Sequence, residues 1–113
     1  MRKRRSLKQL RANIKKARTK SEEANAWYEL ALFYDNNSRE RETISFYQKA
    51  IELGLEKGKK AEALAWLASS FYKTGRYEKA LASLNRSLRI NNEEKIISFL
   101  ARLKKRILKK IHS

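Results

Sequence analysis

The chain has 113 residues, 42% of them hydrophobic, and its formal net charge at pH 7 is +16. This length suits one domain with a modest core. Because no cysteine is present, disulfides, thiolate metal ligands and a thiol nucleophile are excluded.

The composition favours long helices joined by short turns. Proline is absent and only three glycines occur, while strong helix formers are plentiful. We therefore predict an all-α fold. The apolar runs are only a few residues long, so we expect neither a signal peptide nor a membrane span, and we expect a cytoplasmic location.

The first 20 residues are predicted to form a basic N-terminal helix or arm. Residues 1–20 carry ten Lys or Arg and no acid. Leu7, Leu10, Ile14 and Ala17 keep helical spacing and form a narrow apolar stripe. This stripe can pack on the helix that follows.

The middle of the chain, residues 21–92, repeats itself. The stretch that begins at Ala24 can be laid over the stretch that begins at Ala61, an offset of 37 residues. Each stretch leads into a polar turn and a second periodic segment. The sequence therefore predicts two helical hairpins, at about 24–58 and 61–92.

Large and small residues recur on one face of each predicted helix. In the first repeat Trp27 is followed by Leu30 and Ala31 and then by Tyr34, which is the i, i+3, i+4, i+7 pattern of a helical face. The second repeat has the same order of large and small residues, at Leu64, Leu67, Ala68 and Phe71. The second helices carry matching stripes at Thr43, Tyr47, Ala50, Ala80, Leu84 and Ser87.

Residues 93–113 are predicted to form a basic amphipathic capping helix. They contain seven bases and two acids, and the pair Asn91 and Asn92 before them is a plausible N-cap. Arg102 falls where a third repeat needs a small residue, so a closing helix is the better interpretation. The apolar stripe comprises Ile96, Phe99, Leu100, Leu103, Ile107 and Ile111.

The repeated pattern resembles the tetratricopeptide repeat family, whose signature runs Trp, Leu-Gly, Tyr, then Ala, Phe or Tyr, Ala and a final Pro. The resemblance covers residues 24–92 and departs from the signature at Ser38, where glycine is usual. Gly54 is expected to end a helix in a left-handed cap with Leu55 folded over it. The segment 49–55 also resembles a small bacterial subgroup of the family. The resemblance implies an α-solenoid of two tetratricopeptide hairpins that acts as a non-catalytic protein interaction module.

The family holds a peptide or helix in a concave groove lined by the first helix of each repeat. Aromatic rings together with amides and charges suit peptide recognition, although ordinary solvated residues would look the same. Carried over by position, the groove residues are Asn25, Tyr28, Leu32, Asp35, Asn36, Glu62, Ala65, Ser69, Tyr72 and Lys73.

Self-association is a further possibility, because a short repeat array leaves open helical faces that a second copy can cover. Trp66 lies off the main apolar stripe. We therefore consider it a candidate ligand contact or homodimer interface residue.

The basic termini predict an alternative function, binding of an RNA or DNA backbone. The competing interpretation is that the charges form a solvated face that keeps the protein soluble. No nucleic-acid recognition fold accompanies them. An anionic membrane is a weaker candidate partner. The basic patch comprises Arg2, Lys3, Arg4, Arg5, Lys8, Arg11, Lys15, Lys16, Arg102, Lys105, Arg106 and Lys109.

We predict no catalytic, cofactor or metal site. The single histidine, His112, stands next to the last residue, where nothing can orient it as a base or ligand. The adjacent glutamates at 22–23 and 93–94 begin predicted helices and are explained by the helix dipole. The three glycines are isolated, so they form no phosphate-binding loop.

Overall fold

The computed structural model describes residues 6–90 and 93–113, and every regular element in these ranges is an α-helix. The predicted all-α class and the helical hairpins are confirmed. Asn91 and Asn92, the predicted N-cap, lie outside the described residues. The helices are α1 (Leu7–Lys16), α2 (Lys20–Asn36), α3 (Glu40–Leu53), α4 (Lys57–Lys73), α5 (Tyr77–Ile90) and α6 (Glu94–Ile111).

The chain divides into two compact units, Met1–Leu55 and Glu56–Ser113. In the first unit α2 pairs with α3, and α1 packs on α2. In the second unit α4 pairs with α5, and α6 packs on both. None of the described helices is long and apolar enough to cross a membrane.

The helix boundaries reproduce the internal repeat. α2 and α4 have 17 residues each and begin at Lys20 and Lys57. α3 and α5 have 14 residues each and begin at Glu40 and Tyr77. Both pairs are therefore 37 residues apart, which is the offset found in the sequence.

The turn inside each hairpin is built in the same way. The backbone N–H of Arg39 donates to the carbonyl oxygen of Tyr34 at 3.1 Å, and Arg76 donates to Phe71 at 2.8 Å. Each turn contains one left-handed residue, Ser38 with φ 58° or Gly75 with φ 78°. Serine therefore occupies a conformation that favours glycine, because a Cβ atom crowds the backbone there.

The link between the two units begins with the predicted left-handed cap. Gly54 has φ 106°, and its N–H donates to the carbonyl oxygen of Ala50 at 3.2 Å. Leu55 follows and is buried. This prediction is confirmed.

Helix α1 depends on its apolar stripe. A ten-residue helix is too short to be stable alone in water, and the buried side chain of Leu10 packs with Leu30 and Tyr34. Burial of a leucine contributes about 1.5–3 kcal/mol. Ser6 and Gln9 add a reciprocal capping box at the start of α1. Residues 7–16 are thus a docked helix.

The predicted stripes of the hairpins are confirmed. The six second-helix residues have no exposed surface, and in α6 Ile96, Leu100, Leu103 and Ile107 are buried. The hydroxyl of Ser87 donates to the carbonyl oxygen of Ala61 at 2.7 Å. This bond satisfies a polar group that would otherwise destabilise the core of the second unit.

The left-handed residues of the two hairpin turns predict that glycine stabilises the first turn and that serine destabilises the second. We expect Ser38→Gly to raise the free energy of unfolding by up to about 1 kcal/mol, because it removes the left-handed strain. Gly75→Ser should lower it by about 1–2 kcal/mol; a Cβ there meets nothing within 4 Å, so strain is the only cost. Urea denaturation measures both changes.

The matched control for these variants is Gly58→Ser, because Gly58 lies in helix α4 without a positive φ. Serine is a better helix former than glycine, so this change should not destabilise. Destabilisation by Ser38→Gly would contradict the strain interpretation.

Candidate functional site

The groove residues predicted on α2 differ in how much surface they present. Asn25, Leu32 and Asp35 are half-buried, and Asn36 is exposed at the end of the helix. Tyr28, by contrast, is only 5% exposed. Its expected place on the ligand-facing surface is therefore corrected, because the ring packs inside the hairpin.

Tyr28 belongs to a buried polar cluster of the first unit. Its ring lies 6.0 Å from that of Tyr47, and the Tyr47 hydroxyl donates to Asp35 Oδ2 at 2.7 Å. Burial raises the pKa of Tyr47 far above its usual range, and the negative charge and hydrogen bond of Asp35 raise this pKa further. The hydroxyl therefore stays protonated and holds the Asp35 carboxylate in place.

The groove residues predicted on α4 form a similar surface. Glu62, Ser69 and Tyr72 are half-buried, and Lys73 is exposed in the last turn. Ala65, which the same mapping included, has no exposed surface. The Tyr72 ring lies 5.7 Å from that of Tyr77, which limits its rotation.

Position by position, the exposure of α4 matches that of α2. The residues at 25, 32 and 35 are half-buried, 28 is buried and 36 is exposed, and the same holds for the residues 37 positions later. The chemistry differs, since an amide at 25 corresponds to an acid at 62 and an acid at 35 to a tyrosine at 72. The two helices thus expose equivalent positions but present different chemical groups there.

Trp66 has a partner within its own unit. Its ring lies 5.0 Å from that of Phe99 on α6 in an edge-to-face arrangement, a favourable geometry for aromatic pairs. The position of Trp66 off the main stripe is explained by this contact. It is therefore no longer an argument for a subunit interface.

The basic patch falls into separate groups. On α1, Lys8, Arg11, Lys15 and Lys16 are exposed, and Arg11 Nη2 donates to the Tyr34 hydroxyl at 3.0 Å. The residues of the patch at positions 2–5 lie outside the described residues. On α6 the exposed members are Arg102, Lys105, Arg106 and Lys109.

One cleft in the second unit was not predicted. It has a volume of about 640 Å³ and lies between the start of α5 and the end of α6. Its lining includes Arg76, Tyr77, Glu78, Lys79 and Lys110. The sequence does show bases at the start of α5 and at the end of α6. Helical periodicity, however, cannot predict that positions 79 and 110 lie close together.

Among residues 6–90 and 93–113, no group of three or more His, Asp or Glu side chains is placed to hold a metal ion. His112 is exposed immediately after α6.

A family model described as "Tetratrico peptide repeat" matches residues 24–105 of the chain. The match covers both hairpins and most of α6. No curated protein matches the chain. The likeness to a small bacterial subgroup stays a prediction.

The Tyr47 hydrogen bond predicts a pH-dependent stability. An unfolded tyrosine ionises near pH 10, whereas the raised pKa keeps folded Tyr47 protonated. Its contribution is therefore present below about pH 10 and is lost as the pH rises above that value. Tyr47→Phe should cost about 1–3 kcal/mol at pH 7, because it leaves Asp35 without its donor, and the variant should lose less stability than the parent between pH 9 and pH 11.

Urea denaturation at pH 7, 9 and 11 measures this difference. Tyr77→Phe is the matched control, because Tyr77 is half-buried and lies in another unit. This change leaves the hydrogen bond between Tyr47 and Asp35 in place, so the variant should keep the pH dependence that this bond gives the parent chain. A Tyr47→Phe curve parallel to that of the parent would contradict the assignment.

Proposed function

Because the chain belongs to the tetratricopeptide repeat family, whose members are non-catalytic interaction modules, we propose that it binds another protein through an extended peptide or a helix. The proposed ligand surfaces are the outward faces of the first helices of the hairpins, α2 in the first unit and α4 in the second. The proposal does not require a cofactor or a metal.

The observation that carries this proposal is the repeated exposure of α2 and α4. At positions 25, 32, 35 and 36, and at the four positions 37 residues later, the side chains are half-buried or exposed in the same order. Half-buried side chains are fixed by their own packing, so they lose less rotamer entropy on binding than freely exposed ones. Such positions are suited to a binding surface.

The chemistry of these positions fits a peptide. Asn25 and Asn36 can pair with peptide backbone groups, while Leu32 and Tyr72 offer apolar contact area. Tyr28 is buried beneath these positions, where its ring packs on that of Tyr47. We therefore assign it a positioning role rather than ligand contact.

Selection from a random 12-residue peptide library displayed on phage tests the proposal, with the purified full chain as the target. We expect synthetic versions of the enriched peptides to bind in solution. The variant Leu32→Ala/Tyr72→Ala should weaken them at least tenfold, since it removes the apolar contact area from both helices. Isothermal titration calorimetry measures the affinities.

The matched control changes two exposed residues of the second helices, Gln48→Ala and Arg86→Ala. It should alter affinity less than twofold. Circular dichroism must show equal helix content in all variants. Equal loss of affinity in the control, or no enriched peptide at all, would falsify the groove assignment.

Self-association forms a second part of the proposal. Among the described residues, Ile97 on α6 is the large apolar side chain that is exposed, at 39%. A second copy would remove this side chain from water. We expect light scattering after gel filtration to give twice the monomer mass of 13.3 kDa at both 0.15 M and 0.5 M salt.

Ile97→Lys should return the mass to that of a monomer, whereas the nearby exposed substitution Ser98→Lys should leave it unchanged. A monomer mass for the parent chain at every concentration would remove self-association from the proposal.

A further inference from the structure

The second unit concentrates positive charge on one helix. Four of the six residues of the apolar stripe of α6 are buried, and all the bases of this helix are exposed. The single acid of the helix is Glu94 in the first turn. After Glu94 the sequence contains no acid. The exposed bases of α6 are Lys95, Arg102, Lys104, Lys105, Arg106, Lys109 and Lys110.

The density of these charges is high. Six of the bases fall between Arg102 and Lys110, a length of about 12 Å at 1.5 Å per residue. A nucleic-acid strand carries one phosphate per about 3.4 Å in a duplex. The positive charge of α6 is therefore at least as dense along its axis as the negative charge of such a strand.

The cleft described above adjoins this charged helix. Lys110 of α6 lines it together with Arg76, the residue before α5, and Lys79 in the first turn of α5, so three bases line the cleft. Tyr77 also lines the cleft, and its ring is half-buried beside Tyr72. The cleft thus combines cations with an aromatic ring that its neighbour holds in place.

A polyphosphate fits this surface better than an acidic protein does. The bases of α6 are exposed, and exposed ion pairs between side chains contribute little to protein association. The tight centre of a protein interface is instead made of buried aromatic and apolar anchors. Beyond Ile97, the exposed residues of α6 up to Lys110 include no large apolar side chain. Against a nucleic acid, the same bases gain from the release of condensed counterions.

The cleft favours a single strand, and one side chain favours RNA. A volume of about 640 Å³ is large enough for a nucleotide, and base stacking on an aromatic ring is typical of single-strand binding. Glu78 also lines the cleft. Its carboxylate repels phosphate but can accept a hydrogen bond from a ribose 2′-hydroxyl, the group by which proteins distinguish RNA from DNA.

We propose that the exposed basic face of α6 and the adjoining cleft bind single-stranded RNA, with the phosphates on α6 and a nucleotide in the cleft beside Tyr77. This role goes beyond peptide binding by α2 and α4. The two surfaces meet at the contact between Tyr72 and Tyr77, and the variants that test RNA binding leave both tyrosines unchanged, so the two functions can be tested separately.

Fluorescence anisotropy of a labelled 12-nucleotide oligouridylate, titrated with the full chain between 0.05 M and 0.3 M salt, tests the proposal. The variant Arg102→Gln/Lys105→Gln/Arg106→Gln should weaken binding at least tenfold at 0.1 M salt. It should also reduce the slope of log K against log salt by about 2, at about 0.7 per lost phosphate contact.

The matched control, Arg41→Gln/Lys49→Gln/Lys57→Gln, removes the same charge from exposed positions on other helices. It should weaken binding less than twofold. Equal weakening by both variants would show a response to net charge alone and would overturn the assignment of the surface. Circular dichroism of each variant excludes loss of folding as the cause.

Three further arms identify the ligand. The oligodeoxyuridylate of equal length should bind at least threefold more weakly than RNA, and Glu78→Ala should abolish this preference. Equal binding of both strands by the parent chain would overturn the RNA assignment. If a polyglutamate of matched charge competes as well as the RNA does, the proposed ligand is wrong and an acidic polypeptide takes its place.

Discussion

The close approach of paired helices at small residues is the constraint on which both units depend. Ala31 in α2 and Ala68 in α4 have no exposed surface, and neither has Ala50 in α3 or Ala80 in α5. Side chains this small bring helix axes close enough for the large residues on either side to interlock. Once these contacts are fixed, the faces of α2 and α4 that remain outside are fixed as well.

Within this constraint the two units fill their hairpins differently. The first unit places Tyr28 and Tyr47 where the second has Ala65 and Leu84. Tyr47 carries its hydroxyl group into the core, and Asp35 accepts the hydrogen bond that satisfies it. A common backbone thus tolerates a tyrosine pair at these two positions in one unit and an alanine and a leucine in the other, because neighbouring residues match each choice.

The sequence was sufficient for the features that depend on local spacing. The offset of 37 residues, the apolar stripes and the cap at Gly54 all follow from residues close together in the chain. Features that join distant residues could not be predicted: burial of Tyr28 requires Tyr47, and the place of Trp66 requires Phe99 on α6. Periodicity shows which face a residue occupies, but it does not show which helix covers that face.

The pairing of Trp66 with Phe99 has a consequence for the study of the units themselves. The chain has two tryptophans, and each unit contains one of them. Trp27 packs on Phe46 at 5.4 Å in the first unit, as Trp66 packs on Phe99 in the second. Each chromophore therefore reports the melting of its own unit. In repeat proteins, unfolding is governed by the stability of each repeat and by the coupling between neighbours. Intrinsic fluorescence of single-tryptophan versions can separate these two quantities without an external label.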